Sequence, residues 1–254
     1  LEEQLHGALS RGEFNVLYQP KIDISNNKIV GAEALLRWKN SVLGNVAPSE
    51  FIPIAEQTGL IVPLGVYVLT EALKNTRHWK NMYSNEFNIA VNISPRQFRD
   101  PGLANSINTA IEQSCIPGKC LELEITEGVL MSGHSYIDKS LKTINDMGIT
   151  IAMDDFGTGY SSLSYLRKYP FGVIKIDRSF ISDITSDQKD RELINATIVM
   201  AHALHLKVVA EGVETREQLA YLKDLGCDYA QGYYFNKPIS AEALSSLLKD
   251  FVTC

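Results

Sequence analysis

The segment ITIAMDDFGTGYSSL, from Ile149 to Leu163, joins the pattern of a buried strand to two adjacent acidic residues. Its first residues are mostly apolar or small, and Asp154 and Asp155 then lead into a glycine-containing loop. A solvated turn explains this sequence taken alone, because Asp and Gly are common turn residues. The other strands of the chain therefore decide whether these carboxylates belong to a turn or to a site.

The composition is that of an ordinary globular protein and excludes some classes of function. The chain has 254 residues, of which 45% are hydrophobic and 21% are charged, and a single α/β barrel of about 250 residues is a standard size. The net charge of −6 provides no basic surface, so we expect no DNA or RNA binding. No C-x-x-C or zinc spacing occurs among the cysteines, which favours free thiols in a reducing compartment for Cys115, Cys120, Cys227 and Cys254.

No membrane segment is predicted in this fragment. The longest apolar stretch, from Leu60 to Leu69, is interrupted by Pro63 and is too short to cross a bilayer. We expect a cytoplasmic domain. The charged, helical start without Met indicates a domain cut from a longer polypeptide, so a membrane-anchored parent protein is also compatible with the sequence.

Short β-rich segments alternate with helix-length segments along the chain. Strands are predicted at 14–23, 28–38, 87–94, 120–126, 149–155, 172–177, 206–212 and 228–235, and helices include 65–79 and 135–148. The alternation predicts a mainly parallel sheet, and eight strands in one domain of this length favour closure. The short turn 24–28 is typical of an antiparallel pair. We therefore predict one domain over 1–254, an α/β fold of the modified (β/α)8 TIM-like barrel type with one antiparallel strand.

Most predicted core strands carry a polar residue near the carboxyl end, and one face of each strand is apolar. The apolar face includes Val91, Leu123, Met153, Ile174 and Ala210, which suits an outer surface covered by helices. Because side chains alternate along a strand, the polar residues lie on the opposite, inner face. They are Asn92, Glu124, Asp154, Lys175, Glu211 and Gln231.

This polar rim predicts a metal site at the barrel mouth. Several carboxylates converging there would be very costly without cations, and barrel active sites lie at that end. Oxygen ligands suit Mg²⁺ or Mn²⁺ rather than zinc, and adjacent aspartates can reach two metals, which is the usual device for phosphodiester hydrolysis. The acids concerned are Glu33, Glu124, Asp154, Asp155 and Glu211.

Seven segments in this order and spacing resemble the EAL-domain phosphodiesterases that hydrolyse cyclic di-GMP. They are EALLRW from Glu33, VNIS, ELEITE, DDFGTGYSSLSYL, IKIDRSF, AEGVET and QGYYF. Any one fragment is a weak signal, whereas the complete ordered set is specific and covers nearly the whole chain. The resemblance implies a metal-dependent enzyme of bacterial second-messenger signalling, with linear 5′-pGpG as product of in-line attack by a metal-activated water.

The resemblance also implies a role for each matching residue. Two divalent cations, Mg²⁺ or Mn²⁺, are expected on Glu33, Asn92, Glu124, Asp154, Asp155 and Glu211, with Asp154 shared between them. Lys175 is expected to contact the attacking water and, with Glu211 and Glu33, forms the catalytic set. Substrate-side positions are Gln19, Arg37 and Gln231. Further positions around the rim are Glu127, expected to hold the FGTGYSS loop, together with Asp177 and Glu214.

Several alternatives remain open from the residues alone. Lys175 could extend to the surface, Arg37 could pair with a structural acid, and Glu127 and Glu214 could be structural. The helical pair His202 and His205 has no evident third ligand and is interpreted as helix surface. A receptor for cyclic di-GMP and a protein-interaction module compete with the enzyme, although this chain keeps every proposed ligand.

The family pattern is not matched everywhere, and it implies partners beyond the substrate. The segment KNSVLG from Lys39, Gly128 and Gly172 all depart from common family residues, which affects the expected shape near the guanine pocket rather than a metal ligand. Family resemblance also implies a homodimer and an upstream sensory or GGDEF-like domain in the full-length protein.

Overall fold

A closed barrel forms the centre of the computed structural model, which describes residues 1–131, 135–157 and 163–252. Within these residues, one sheet has the order β1-β9-β8-β7-β6-β5-β4-β2-β3, and a further pairing of β1 with β2 closes it. The strands are β1 (Phe14–Asp23), β2 (Lys28–Asn40), β3 (Gly44–Val46), β4 (Asn88–Asn92), β5 (Leu121–Thr126), β6 (Thr150–Phe156), β7 (Phe171–Ile176), β8 (Lys207–Ala210) and β9 (Tyr229–Ala230). The prediction of a TIM-like barrel is confirmed.

The first strand runs against its two neighbours. β1 is antiparallel to both β2 and β9, whereas β2 and the strands from β4 to β9 pair in parallel. The tight turn between β1 and β2 places Asn27 at a φ of 58°, a left-handed conformation that Asn tolerates better than most residues. This reversal is the antiparallel strand that the sequence predicts.

Two strand predictions were wrong in extent. β2 continues to Asn40 and folds back onto β3 as a hairpin, which the sequence analysis did not identify. The predicted strand 228–235 is ordered as a strand only over Tyr229–Ala230. Beyond it the backbone packs against Val213. The N–H of Tyr234 donates to the carbonyl of Val213, and Gly232 lies so close that a Cβ there would come within 2.1 Å of the same oxygen.

Helices follow most strands and cover the outside of the barrel. They are α1 (Glu2–Leu5), α2 (Pro48–Thr58), α3 (Ile61–Met82), α4 (Pro95–Phe98), α5 (Leu103–Ser114), α6 (Glu127–Met131), α7 (Ser135–Asp146), α8 (Leu163–Lys168), α9 (Arg178–Ser182), α10 (Gln188–Ala203), α11 (Arg216–Asp224) and α12 (Ala241–Val252). None of the helices described is both long enough and apolar enough to cross a membrane.

The main core lies between the strands and these helices. The predicted outward residues Val91, Leu123, Met153, Ile174 and Ala210 are all buried there. A second core joins α1, α2 and the start of α3 to the β1–β2 pair through Leu5, Phe14, Trp38, Phe51 and Ile61. Burial of this much apolar surface is the dominant stabilising contribution to such a fold, and it fixes the strand ends that carry the polar rim.

Candidate active site

Lys175 stands at the centre of the predicted rim, on β7, and is 1% exposed. Its Nζ lies 2.7 Å from Glu211 Oε1 and 2.8 Å from Glu124 Oε2. The same atom lies 3.2 Å from Asp154 Oδ1 and 3.5 Å from Glu33 Oε2. The strand ends thus bring four acids together around one ammonium group, and the reading of Lys175 as a surface lysine is wrong.

The site holds more negative charge than Lys175 can balance. Burial alone would lower the pKa of Lys175, but the surrounding carboxylates outweigh it and raise this pKa well above its usual value. Burial, with repulsion from Glu33 and Asp154, raises the pKa of Glu124 well above its usual value. Burial likewise raises the pKa of Glu211 to about 7, with Asp154 and Glu33 adding to it and Lys175 opposing it. A further cation would stabilise the ionised form of these carboxylates.

Glu33 is fixed by amide side chains on both of its oxygens. Asn92 Nδ2 donates to Oε1 at 2.7 Å and Gln231 Nε2 donates to Oε2 at 2.6 Å. Gln231 also donates to Gln19 Oε1 at 3.2 Å, and Gln19 in turn donates to the carbonyl of Asn236. Burial would raise the pKa of Glu33, but Lys175 and these hydrogen bonds lower it below its usual value. Glu33 is therefore held ionised and oriented.

A second group of acids lies beside the first. Ligand oxygens of Asp154, Asp155 and Glu211 all lie within 4.8 Å of one another. Asp155 has a φ of 54°, and its N–H donates to Asp154 Oδ1 at 3.0 Å. This left-handed turn explains why both aspartates can serve the rim. Burial, followed by the charges of Asp154 and Asp177, raises the pKa of Asp155.

The donor set fits divalent cations that prefer oxygen. Asp154 belongs to both groups, so it can bridge two ions, and Asn92 adds a neutral oxygen on the Glu33 side. Glu124 Oε2 is buried and accepts no hydrogen bond within the described residues, although Lys175 Nζ is near it. Carboxylates with free lone pairs and no histidine or thiolate among them suit Mg²⁺ or Mn²⁺.

An apolar cavity of about 360 Å³ opens next to these acids. Its floor includes Asn92 and Glu124, and Arg37 lies on its wall. Apolar walls come from α2, α3 and β2, including Ile52, Ile61, Leu64 and Val68. Arg37 is half-buried, and its Nη1 donates to the carbonyl of Leu36 at 2.9 Å. The cavity can therefore take an apolar group beside the acids, with Arg37 available to a negatively charged part of the same molecule.

The outer predicted residues have separate local roles. Asp177 caps the start of α9, where its Oδ1 accepts from the N–H and the hydroxyl of Ser179. Glu214 is exposed, and its backbone N–H donates to Gln218 Oε1. Glu127 is buried at the first position of α6. The segment it is predicted to hold lies largely in residues 158–162, outside the described residues, so that role stays a prediction.

The sequence analysis missed one buried ion pair inside the barrel. Lys21 Nζ lies 2.9 Å from both carboxylate oxygens of Glu122, and both side chains are buried. Ala152, Val173 and Val209 form a separate small apolar cluster with Tyr229 packed against it. The available signal was spacing, since Lys21 follows Gln19, and Glu122 precedes Glu124, by two residues on the same strand face.

Other sequence features have plain structural explanations. Cys115, Cys120 and Cys227 are free thiols as predicted, while Cys254 lies outside the described residues. His202 Nε2 lies 2.9 Å from Asp228 Oδ2 on the surface. Among the described residues, the acids Asp154, Asp155 and Glu211 are the group with metal-site spacing. The interpretation as helix surface holds for His202, which lies on α10, whereas His205 lies in the exposed turn after α10 with a φ of 60°.

A family comparison decides how these residues are to be understood. The family model described as the EAL domain matches residues 2–238. The chain belongs to the EAL domain family. In this EAL domain the tripeptide Glu33-Ala34-Leu35 lies in β2, and its glutamate is the residue held by Asn92 and Gln231.

Individual relatives and solved structures agree with this assignment. The bifunctional diguanylate cyclase/cyclic di-GMP phosphodiesterase MucR of Pseudomonas aeruginosa is 41% identical over 96% of this chain and 36% of its own length. A solved structure of the PaMucR phosphodiesterase in complex with c-di-GMP has a TM-score of 0.91 and 41% identity, covering 95% of this chain and 98% of that one. The cyclic di-GMP phosphodiesterase NbdA of the same organism is 39% identical over 99% of this chain and 32% of its length. The chain spans about a third of the length of the curated relatives it matches.

The departures from the family pattern lie away from the acids of this EAL domain. KNSVLG forms the turn of the β2–β3 hairpin, and Gly128 lies in α6. Gly172 lies near the start of β7, where a Cβ would come within 2.9 Å of Thr150 Cγ2. The rim around Lys175 therefore remains complete.

Proposed function

We propose that this EAL domain hydrolyses cyclic di-GMP to linear 5′-pGpG with the help of two divalent cations, Mg²⁺ or Mn²⁺. The observation that carries the proposal is the arrangement of Glu33, Glu124, Asp154 and Glu211 around Lys175. Relatives named as cyclic di-GMP phosphodiesterases and a c-di-GMP complex of a similar domain support the substrate.

The proposed ligands divide into two sets. Glu33, Asn92, Glu124 and Asp154 would hold one cation, and Asp154, Asp155 and Glu211 would hold the other. Bound cations would lower the pKa of the attacking water and polarise the phosphoryl oxygens. The amides on Glu33 fix its orientation, which a metal ligand requires.

Lys175 and Glu211 differ in protonation state in this proposal. The raised pKa of Lys175 keeps it charged, so it donates a hydrogen bond to the attacking water and does not act as a base. In the metal-free protein, burial places the pKa of Glu211 at about 7, so this carboxylate would give up its proton when a cation binds near neutral pH. Attack of the water oxygen forms a new P–O bond while the bond from phosphorus to the 3′-oxygen breaks. The water loses one proton in the attack, and the leaving 3′-oxygen takes up one proton, so the step balances.

Substrate orientation would come from the cavity beside the acids. A guanine base fits an apolar wall built from α2 and α3, and Arg37 can donate to a phosphate as a two-pronged cation. Gln231 donates to both Gln19 and Glu33. We infer that the two glutamines shape the substrate side of the site through Glu33.

The wider assembly is proposed by analogy with longer relatives. An upstream sensory or GGDEF-like domain would extend residues 1–254 in a cytoplasmic signalling protein. Homodimer formation is supported by exposed apolar side chains, Leu163 on α8 and Leu193 and Val199 on α10.

A product assay tests the proposed function directly. The purified domain is incubated with cyclic di-GMP and Mg²⁺ or Mn²⁺, and nucleotides are separated by chromatography, with Glu33→Ala as the inactive control. We expect linear pGpG from the wild type, none after chelation and none from the variant. Binding of cyclic di-GMP by the folded, metal-loaded protein without any product would contradict the proposal and favour a receptor.

A further inference from the structure

Two turns of the rim each contain a glycine with positive φ shortly after their acids. Gly157 follows Asp154 and Asp155 by a few residues and has a φ of +100°, and Gly212 follows Glu211 directly with a φ of +68°. Both values lie in the region that favours glycine. The two turns therefore leave their strands by sharp bends immediately beyond the carboxylates that they present.

The short helix α9 contacts both bends. A Cβ on Gly157 would come within 2.8 Å of Phe180 Cε2, and a Cβ on Gly212 would come within 2.5 Å of Arg178 Cβ. Phe180 and Arg178 belong to α9, so one helix lies against the backbone of two acid-bearing turns. The absence of a side chain at each glycine is what allows this approach.

α9 is itself firmly anchored to the barrel. Asp177 caps its start, Ile181 is fully buried, and Gln218 Nε2 donates to the carbonyl of Ile181 at 3.0 Å. A contact made by this helix is therefore made by a fixed body. Moving either turn relative to α9 would require the helix or its anchors to move.

We propose that α9 is a positioning element, and that its contacts through Phe180 and Arg178 set the separation between the carboxylates of Asp155 and Glu211. The inference rests on the proposed function, because these two acids are the ligands that distinguish the second cation from the first. Metal ligands need to be held within about 0.5 Å of their working positions. Neither glycine, nor Phe180, nor Arg178 is a ligand, so each acts only through the spacing of the acids.

A matched pair of glycine variants separates positioning from general backbone strain. Gly212→Ala adds a Cβ against Arg178, whereas Gly226→Ala adds one at a φ of +73° where no atom lies within 4 Å. Metal-free protein is titrated with Mn²⁺ by calorimetry, and bound Mn²⁺ is followed by electron paramagnetic resonance, where two nearby ions give a coupled signal. We expect two ions in the wild type and in Gly226→Ala. In Gly212→Ala we expect the second ion to bind about tenfold to a hundredfold more weakly and the coupled signal to be lost.

A second pair of variants tests the Phe180 contact by removal rather than addition. Phe180→Ala removes the side chain that packs on Gly157. We expect the affinity for the second ion to fall by about tenfold. Phe180→Leu should restore most of that affinity. Thermal melting of each metal-free variant shows that it is folded. If Gly212→Ala and Phe180→Ala are folded and bind both ions as tightly as the wild type, the positioning role is overturned and the metal centre is not. A wild-type domain that binds no Mn²⁺ would overturn the metal centre and the positioning role together.

Discussion

Among the described residues, two lysines are buried in the barrel interior, one near each end, and their surroundings differ in charge. Toward the amino ends of the parallel strands, Lys21 meets the single carboxylate of Glu122, with both oxygens at 2.9 Å. Toward the carboxyl ends, Lys175 meets four carboxylates within 3.5 Å. The first site is a balanced pair, and the second carries an excess of negative charge.

This difference separates a structural ion pair from a site prepared for a ligand. A buried pair with matched charges needs no further partner, and it contributes little net stability because desolvation offsets the attraction. A buried cluster of acids with one ammonium is costly unless more positive charge arrives. We infer that the carboxyl end of the barrel is arranged for cations and the other end is not.

The largest expected effect is at the balanced pair. Lys21→Met leaves Glu122 buried without a cation, and we expect the free energy of unfolding to fall by about 3–5 kcal/mol. The double variant Lys21→Met/Glu122→Leu should regain most of this loss, since it removes both charges. Urea unfolding followed by circular dichroism measures each value, and recovery of Lys21→Met by Mg²⁺ would contradict a purely structural pair.

At the other end, a single ligand should govern activity. Asp154→Asn keeps the shape of the side chain but removes the charge proposed to bridge two cations. We expect hydrolysis of cyclic di-GMP to fall by about a hundredfold to a thousandfold, as measured by initial rates of pGpG formation. The double variant Lys21→Met/Glu122→Leu serves as the control and should keep its activity; equal losses in both would remove the distinction between the two ends.

Replacing the second lysine should produce a defect that cations repair. Lys175→Met leaves the rim acids without their ammonium, so the metal-free protein should be less stable than the wild type. Mn²⁺ at a hundred times its dissociation constant should return about 2.7 kcal/mol, while activity stays low. Melting curves with Mn²⁺ and with chelator measure this, and an Mn²⁺-independent defect would contradict the proposed cation site.

The smallest predicted effect is a dependence of metal affinity on pH. Burial and the charges of Asp154 and Glu33, opposed by Lys175, place the pKa of Glu211 at about 7. Below that pH an incoming cation displaces the proton, so the dissociation constant should rise by up to about tenfold per pH unit. Above pH 7 the affinity should level off.

Calorimetry in buffers of different ionisation enthalpy provides the check. Proton release on Mn²⁺ binding should be seen at pH 6 and should vanish at pH 8. For the metal-free protein, the same raised pKa means that stability falls as pH rises from the unfolded value, about 4.5, toward 7, because the unfolded chain loses its proton first. Proton release that is the same at both pH values would count against this assignment.

The sequence predicted the barrel and its rim because both follow from the alternation of side chains along strands. The polar residues Asn92, Glu124, Asp154 and Lys175 occur near strand ends, so their convergence needed only the parallel arrangement. Gln231 was predicted on the inner face, and it does reach Glu33 Oε2 although β9, which precedes it, is much shorter than predicted. Burial pattern and position were sufficient for these residues.

Contacts between distant turns were beyond sequence reasoning. Lys21 and Glu122 were each assignable to the inner face, but their pairing depends on how β1 is staggered against β5 across the barrel. The approach of α9 to Gly157 and Gly212 depends on distances of a few ångströms between three loops. No periodicity encodes such distances, so glycines that permit close packing look the same in sequence as those in open turns such as Gly226.

One measurement tests the difference between the two ends most directly. Crystals grown with Mn²⁺ are examined by anomalous X-ray scattering, which locates the metal independently of any assumption about ligands. We expect two peaks at the rim, one near Glu33 and Glu124 and one near Asp155 and Glu211, and none near Lys21 and Glu122. A rim without Mn²⁺ at concentrations that saturate binding in solution, or a peak at the Lys21 end, would contradict the account.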